Sequence, residues 1–171
     1  FFDFKLHDIP NTVAMGISSL NRLDPDMLTV HISGGKNMLV SANKNSKNTK
    51  IIGVSILTSL DKKNIFNIYN RKNTKTLIKK MVSLAIDSKI YGIVCSPKEV
   101  KYVKEFAKSK LKIITPGIRL KNQKIRNDDQ KRFLLPKEAI KLGADYLVIG
   151  RPIIASNNPL YLVKSINDQI G

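Results

Sequence analysis

Residues 1–12 read FFDFKLHDIPNT, and this stretch carries more information about the protein than any other. Side chains alternate across a β-strand, so a strand over residues 1–6 places Phe2, Phe4 and Leu6 on one face. The same strand places Asp3 and Lys5 together on the opposite face. The pattern therefore predicts a strand with one apolar face and one charged face.

The charged face calls for a partner, because burying an unpaired charge is costly. Asp8 adds a third charge just beyond the predicted strand. Taken alone, Asp3 and Lys5 are more often a structural ion pair than a catalytic one. At the carboxyl end of a strand, however, an array of Asp3, Lys5 and Asp8 is a candidate for proton transfer.

The 171-residue chain is long enough for one domain with a substantial core. No apolar run approaches the roughly 18 residues that a membrane span needs, so we predict no membrane association. The single cysteine, Cys95, excludes an intrachain disulfide and favours a reducing, cytoplasmic location. The chain opens on a predicted strand that contains acidic and basic residues, so we expect no signal peptide. It also begins without Met, inside that strand, so we expect further sequence before Phe1.

The formal net charge of +17 suggests a polyanionic partner such as nucleic acid. The excess is mostly lysine, however, and it is spread over helical stretches such as residues 98–104. The sequence shows no platform of arginines and aromatic rings for stacking bases. We predict solvated helix faces and no nucleic-acid partner, with a basic, non-catalytic polyanion-binding module as the alternative from a different class.

Short apolar runs alternate with helical patterns along the whole chain, which is typical of an α/β protein with a parallel sheet. Six runs are predicted as strands: residues 1–6, 27–32, 51–56, 91–95, 111–115 and 146–149. Apolar side chains at helical spacing, with proline or glycine at the ends, predict four helices: residues 74–88, 97–108, 136–142 and 160–170.

Polar and glycine-rich segments follow directly after the strands, as in HISGG at 31–35 and TPGIR at 115–119. Chemistry at the carboxyl end of every strand is typical of a (β/α)8 TIM barrel, whereas an open doubly wound sheet concentrates it at one switch point. A full barrel takes about 250 residues. We therefore predict one domain, residues 1–171, made of the C-terminal six β/α units, with the first two units missing from this chain.

Several segments together resemble orotidine 5′-phosphate decarboxylases. The array Asp3-x-Lys5-x-x-Asp8 alone is less specific, because sugar-phosphate enzymes such as hexulose-phosphate synthase share it. A related barrel enzyme that acts on a sugar phosphate is therefore an alternative function. The continuation HDIPNT at 7–12 and the segment TPGIR at 115–119 are much more specific. The remaining matching segments occur in family order: VHISGG at 30–35, LTS at 57–59, VCS at 94–96, DDQKR at 128–132 and IGRPI at 149–153.

The resemblance implies decarboxylation of orotidine 5′-phosphate to UMP in pyrimidine biosynthesis, without a metal or other cofactor. It implies that Lys5 protonates the carbanion formed at C6 of the pyrimidine, and that Asp3 positions Lys5 near the departing carboxylate. Asp8 and Thr12 are implied to reach the partner's substrate across a homodimer interface. The family's first two strands normally add an Asp and a Lys, and neither position exists in these 171 residues.

The same resemblance implies how the substrate is held. Gly150 and Arg151 are expected to bind the phosphate. A long polar loop, residues 117–135, favours a lid that adds Arg119 and Gln130 to this grip. The remaining substrate-binding residues are expected to be Ser96 and Pro116 beside the base and Thr58 beside the ribose.

Each of these assignments has a simpler competitor. Thr12 could be a helix cap, and Arg151 could be an ordinary surface arginine. His7 and His31 are better explained as structural hydrogen-bonding groups than as metal ligands, because no cysteine or acidic ligand stands at metal spacing. Cys95 is best explained as inert packing within a strand.

Overall fold

The computed structural model describes residues 1–120 and 134–171. The strands are β1 (Phe2–Leu6), β2 (Met27–His31), β3 (Lys50–Val54), β4 (Gly92–Val94), β5 (Lys112–Thr115) and β6 (Tyr146–Leu147). The α-helices are α1 (Pro10–Leu20), α2 (Gly35–Asn45), α3 (Lys62–Tyr69), α4 (Thr74–Asp87), α5 (Val100–Ala107), α6 (Pro136–Leu142), α7 (Arg151–Ile154) and α8 (Pro159–Ile170).

The six strands form one curled, parallel sheet in which spatial order follows chain order from β1 to β6. Every neighbouring pair is parallel. This confirms the predicted α/β class, and the described residues form an open six-stranded sheet. No helix in the described part of the chain is long and apolar enough to cross a membrane.

The centre of the sheet is apolar on both faces, as the continuous runs predicted. Val30, Ile52, Ile93 and Ile113 each have 0% of their surface exposed. Strands buried on both sides need helices over the sheet, and the β/α alternation supplies them. The core thus extends across β2 to β5 and leaves β1 and β6 as the edges.

Three predicted element boundaries were wrong by two or more residues, and one of them is the end of the third strand, which stops at Val54 and not at residue 56. The helix predicted from residue 97 begins at Val100, because residues 97–99 form a turn in which the Glu99 backbone N–H donates to the Ser96 carbonyl at 2.8 Å. The sixth strand ends at Leu147. Beyond it the chain bends towards α7, whose first residue is Arg151.

Strand β1 departs from the predicted alternation. Its pairing with β2 shifts from Phe2 opposite Leu28 to Leu6 opposite Val30, so β1 carries a bulge. Phe2 and Leu6 pack against the core, but Phe4 is 56% exposed, which makes the prediction of one continuous apolar face wrong. The bulge re-aims the side chains between the two register pairs.

Asp145 joins the amino-terminal ends of β5 and β6. Its backbone N–H donates to the Ile113 carbonyl at 2.8 Å, and its carboxylate accepts from the Ile113 backbone N–H at 2.9 Å. Lys112 donates to the other carboxylate oxygen at 3.0 Å. Partial burial alone would raise the pKa of Asp145, but these hydrogen bonds outweigh it and hold the pKa below its ordinary value.

We expect Asp145→Ala to lower the free energy of unfolding by about 1–3 kcal/mol, because the substitution removes a charged acceptor from a partly buried N–H. Urea denaturation at pH 7 measures the effect. Because folding lowers the pKa of Asp145, its stabilisation is complete above the ordinary value of 3.8 and is lost as the pH falls through the folded-state value. The matched control is Lys112→Met, which removes only a solvent-exposed partner. An equal loss of stability in Lys112→Met would contradict the assignment to Ile113.

Candidate active site

A cavity of about 220 Å³ opens at the carboxyl-terminal edge of the sheet. Val54 and Val94 end their strands there, and Pro116 and Val148 follow β5 and β6 directly. The cavity brings together four of the predicted site residues, Asp3, Lys5, Thr58 and Pro116, and its other lining residues are Phe1, Val54, Ile56, Leu57, Val94 and Val148. It thus combines an apolar wall with a single charged corner.

Asp3 and Lys5 form the charged corner as an ion pair. Lys5 Nζ lies 2.6 Å from Asp3 Oδ2, and the side chain of Lys5 is 37% exposed and that of Asp3 44%. Both charges therefore remain hydrated in part and avoid the desolvation penalty of a fully buried pair. A cation placed at the mouth of an apolar cavity can stabilise a negative charge that develops on a bound molecule.

Thr29 of β2 contacts both members of this pair, and the sequence analysis missed it. Its hydroxyl donates to Asp3 Oδ1 at 2.9 Å and accepts from the Lys5 backbone N–H at 2.9 Å. Thr29 is completely buried. The available signal was a hydroxyl between the apolar residues Leu28 and Val30 of a buried strand, where it needs hydrogen-bond partners.

The backbone of Lys5 lies in the left-handed region, with φ at 55°. For a residue with a Cβ this conformation costs about 1–2 kcal/mol. The hydrogen bond from its N–H to the Thr29 hydroxyl offsets part of that cost. The bulge of β1 thus fixes the direction in which the Lys5 side chain leaves the strand.

Two histidines lie next to the ion pair. The rings of His7 and His31 are 5.3 Å apart between centroids and tilted by 41°. Burial lowers the pKa of His31, and the nearby His7 and Lys5 lower it further, against a smaller opposing effect of Asp3. His31 is therefore predominantly neutral at pH 7 and can donate or accept hydrogen bonds beside Lys5.

Cys95 follows β4 and is 1% exposed. Burial, with a further contribution from Glu99, raises the pKa of its thiol. The thiol thus stays protonated and unreactive, as its predicted packing role requires. Within residues 1–120 and 134–171, no group of three histidine, cysteine or acidic side chains could hold a metal ion.

Asp8 and Thr12 do not line the cavity. Both are exposed, and Asp8 Oδ1 accepts a hydrogen bond from the Ile9 backbone N–H at 2.6 Å. Helix α1 has Ile9 at its N-cap position without a side-chain cap, so the alternative role of Thr12 as a helix cap is wrong. Met15, on the same helix as Thr12, is also exposed.

Ser96 lies just beyond β4, two residues after the cavity-lining Val94. Its backbone N–H donates to Glu99 Oε2 at 2.9 Å. Its hydroxyl is buried and has no hydrogen-bond partner among the described residues. Ser96 thus holds an unused hydrogen-bonding group near the cavity.

Arg119 is only 7% exposed and does not line the cavity. Its Nη1 donates to the Ile118 carbonyl at 2.9 Å, and its backbone N–H donates to the Leu134 carbonyl at 3.0 Å. The bridge between Ile118 and Leu134 therefore draws this arginine into the interior. Gln130, the other residue predicted on the lid, lies outside the described residues.

Gly150 and Arg151 form the start of α7, immediately after the end of the sheet. Gly150 is exposed, and a Cβ built on it would meet no atom within 4 Å. Packing therefore does not require glycine at this position. Arg151 is half-buried, and neither residue lines the 220 Å³ cavity.

Known proteins share this sequence and this fold. Orotidine 5′-phosphate decarboxylase from Wolbachia pipientis subsp. Culex pipiens is 43% identical over 98% of this chain and 76% of that protein. The enzyme of the same name from Aquifex aeolicus is 41% identical over 100% of this chain and 74% of that protein. The chain thus spans about three quarters of these relatives.

Solved structures agree. Orotidine 5′-phosphate decarboxylase from Lactobacillus acidophilus superposes with a TM-score of 0.85 at 30% identity, covering 99% of this chain and 74% of that one. An uncharacterized conserved protein from Geobacillus kaustophilus superposes with a TM-score of 0.84 at 27% identity, covering 100% and 75%. The sequence pattern of one family matches residues 1–166. The chain therefore belongs to the orotidine 5′-phosphate decarboxylase / HUMPS family.

Proposed function

We propose that this protein decarboxylates orotidine 5′-phosphate to UMP in pyrimidine biosynthesis. The observation that carries the proposal is the Asp3–Lys5 ion pair, set at the mouth of an apolar cavity where the strands end. Relatives that share about 40% of the sequence bear the name of this activity. These names favour the decarboxylase over the sugar-phosphate enzyme and the polyanion-binding module.

In the proposed reaction, the bond between C6 of the pyrimidine and its carboxylate breaks, and carbon dioxide leaves. The electron pair stays on C6 as a carbanion. The Lys5 ammonium stabilises this charge and then gives its proton to C6, forming the C–H bond of UMP. Water then returns a proton to the Lys5 amine, which restores the ammonium for the next turnover.

Asp3 has a positioning role in this scheme. Its carboxylate lies 2.6 Å from Lys5 Nζ and holds the ammonium at the cavity. An ammonium on a flexible four-carbon chain would otherwise sample many rotamers, and fixing it in advance lowers the cost of reaching the transition state. Asp3 also lies beside the place where we locate the departing carboxylate.

Other residues in and near the cavity are proposed to contact the substrate. Thr58 and Pro116 line the cavity with Lys5, which supports their assignment to the ribose and the base. The unused hydroxyl of Ser96 supports a hydrogen bond to a pyrimidine amide edge. Gly150 lies after β6, at the start of α7, and no atom lies within 4 Å of where its Cβ would be. This free space supports a phosphate site shared with Arg151. We also propose that Arg119 and Gln130 contribute to the phosphate site.

We propose that the active unit is a homodimer with shared active sites. Asp8 and Thr12 are exposed, and the same short segment carries the apolar side chains Ile9 and Met15, which are 66% and 63% exposed. Polar groups within an apolar exposed patch suit an interface between two copies. In this arrangement Asp8 approaches the ribose of the substrate bound by the other copy.

We further propose that residues 1–171 are the C-terminal six β/α units of a (β/α)8 barrel. Two features support this: the described sheet leaves β1 and β6 as open edges, and the relatives are longer than this chain.

We also propose a cytoplasmic location, which the buried thiol of Cys95 supports.

Lys5→Ala in the full-length protein should lower kcat by about 10²–10⁴-fold, because the proton donor is lost. The affinity for UMP should change little, since UMP has no developing charge at C6. Single-turnover decarboxylation and calorimetric titration with UMP measure the two quantities. Lys80→Ala, an exposed lysine of α4, is the matched control and should keep full activity. Undiminished turnover in Lys5→Ala would refute the mechanism.

Arg151→Ala should raise KM by about 10–100-fold, because charged hydrogen bonds to the phosphate are lost. Steady-state kinetics with orotidine 5′-phosphate measure the change, with the exposed Arg22→Ala as the control for a lost positive charge. An unchanged KM in Arg151→Ala would count against the phosphate site.

Mixing inactive Asp8→Ala with inactive Lys5→Ala should restore activity. In a random mixture half of the dimers are mixed, and one of their two sites is intact, so about one quarter of the sites recover. Turnover of the mixture, compared with each variant alone, measures the recovery. Absence of any recovery after subunit exchange would show that each site belongs to a single chain.

A further inference from the structure

We propose that Thr29 is a positioning residue that fixes the Asp3–Lys5 pair in its reactive arrangement. The inference rests on the proposed function, because it assigns Lys5 the role of proton donor. Thr29 lies in the middle of β2, between Leu28 and Val30. Its side chain is the one hydroxyl that contacts both Asp3 and Lys5 among the described residues.

The hydroxyl of Thr29 both donates and accepts a hydrogen bond. A hydroxyl carries one proton and can accept hydrogen bonds at its lone pairs. The proton goes to Asp3 Oδ1 at 2.9 Å, and a lone pair receives the Lys5 backbone N–H at 2.9 Å. Thr29 has no exposed surface, so water does not compete for either bond.

These bonds close a loop around Lys5. The backbone N–H of Lys5 binds Thr29 directly, and its ammonium binds Thr29 through Asp3, whose Oδ2 lies 2.6 Å from Nζ. The two oxygens of Asp3 are thus held by different partners, one by β2 and one by Lys5. A carboxylate held at both oxygens cannot rotate freely, so the ammonium that it binds is fixed as well.

The position of Thr29 also explains why the backbone N–H of Lys5 bonds to a side chain and not to a backbone carbonyl. Thr29 lies opposite the bulge, between the register pairs Phe2 with Leu28 and Leu6 with Val30. The regular backbone ladder is interrupted at this point, and Lys5 takes a left-handed conformation with φ at 55°. The Thr29 hydroxyl replaces the missing ladder partner of the Lys5 N–H.

Three variants of the full-length protein test the proposal. Thr29→Val keeps the shape of the side chain and removes both hydrogen bonds, whereas Thr29→Ser keeps the hydroxyl. Thr49→Val is the matched control, because Thr49 is also buried but lies before β3, at the opposite end of the sheet. The measurements are kcat and KM for orotidine 5′-phosphate, the affinity for UMP, and the urea midpoint of each variant.

We expect Thr29→Val to lower kcat by about 10–100-fold, because a displacement of about 1 Å at a reacting group has effects of this size. UMP affinity should stay within about threefold, since the phosphate and base contacts are intact. Thr29→Ser should restore kcat to within about threefold of the wild-type value. Thr49→Val should lower neither kcat nor UMP affinity.

Three results would overturn the proposal: wild-type kcat in Thr29→Val, equal losses in Thr29→Val and Thr29→Ser, or parallel losses of kcat and UMP affinity. If Thr29→Val does not fold, Thr29→Cys takes its place, because a thiol is a weak hydrogen-bonding group of similar size. Wild-type kcat in Thr29→Cys would then overturn it. A wild-type protein that does not decarboxylate orotidine 5′-phosphate would instead refute the proposed function, independently of any Thr29 variant.

Discussion

The bulge in β1 is the constraint on which the rest of the site depends. A regular strand would place Lys5 in the β region and pair its backbone with β2. The bulge instead puts Lys5 at a φ of 55° and gives its N–H to a side chain, Thr29. Within the described sheet the distortion falls on the ladder between β1 and β2. The remaining strands, from β2 to β5, keep a regular buried core beneath it.

The charged corner is tolerated because it lies at the boundary between the core and water. Asp3 and Lys5 are each more than a third exposed, whereas Thr29 behind them is completely buried. The protein thereby buries a neutral group and leaves the charges hydrated, which is the less costly arrangement. A substrate that fills the cavity would exclude part of that water and strengthen the field of the Lys5 ammonium at the reacting carbon.

Local patterns were sufficient to predict much of this structure. Continuous apolar runs predicted the buried strands, and the carboxyl ends of those strands placed Asp3, Lys5, Thr58 and Pro116 in one cavity. The bulge was not predictable, because it depends on the pairing of β1 with a strand more than twenty residues away. The burial of Arg119 has a similar cause, namely the contact between Ile118 and Leu134. Pairings between distant segments leave no periodic signal in the segment that they distort.

The positions of Asp8 and Thr12 are the basis of our proposal that a second copy of the chain completes the pocket. Helix α1 begins at Pro10, after a short connection from the end of β1 at Leu6. Asp8, in this connection, and Thr12, in the first turn of the helix, are exposed and do not line the cavity of their own chain. In the two-chain site that we propose, these two side chains contact the substrate bound by a neighbouring copy. Strand β1 then supplies Lys5 to the cavity of its own chain, whereas the residues that follow the strand, Asp8 and Thr12, serve the site of the partner.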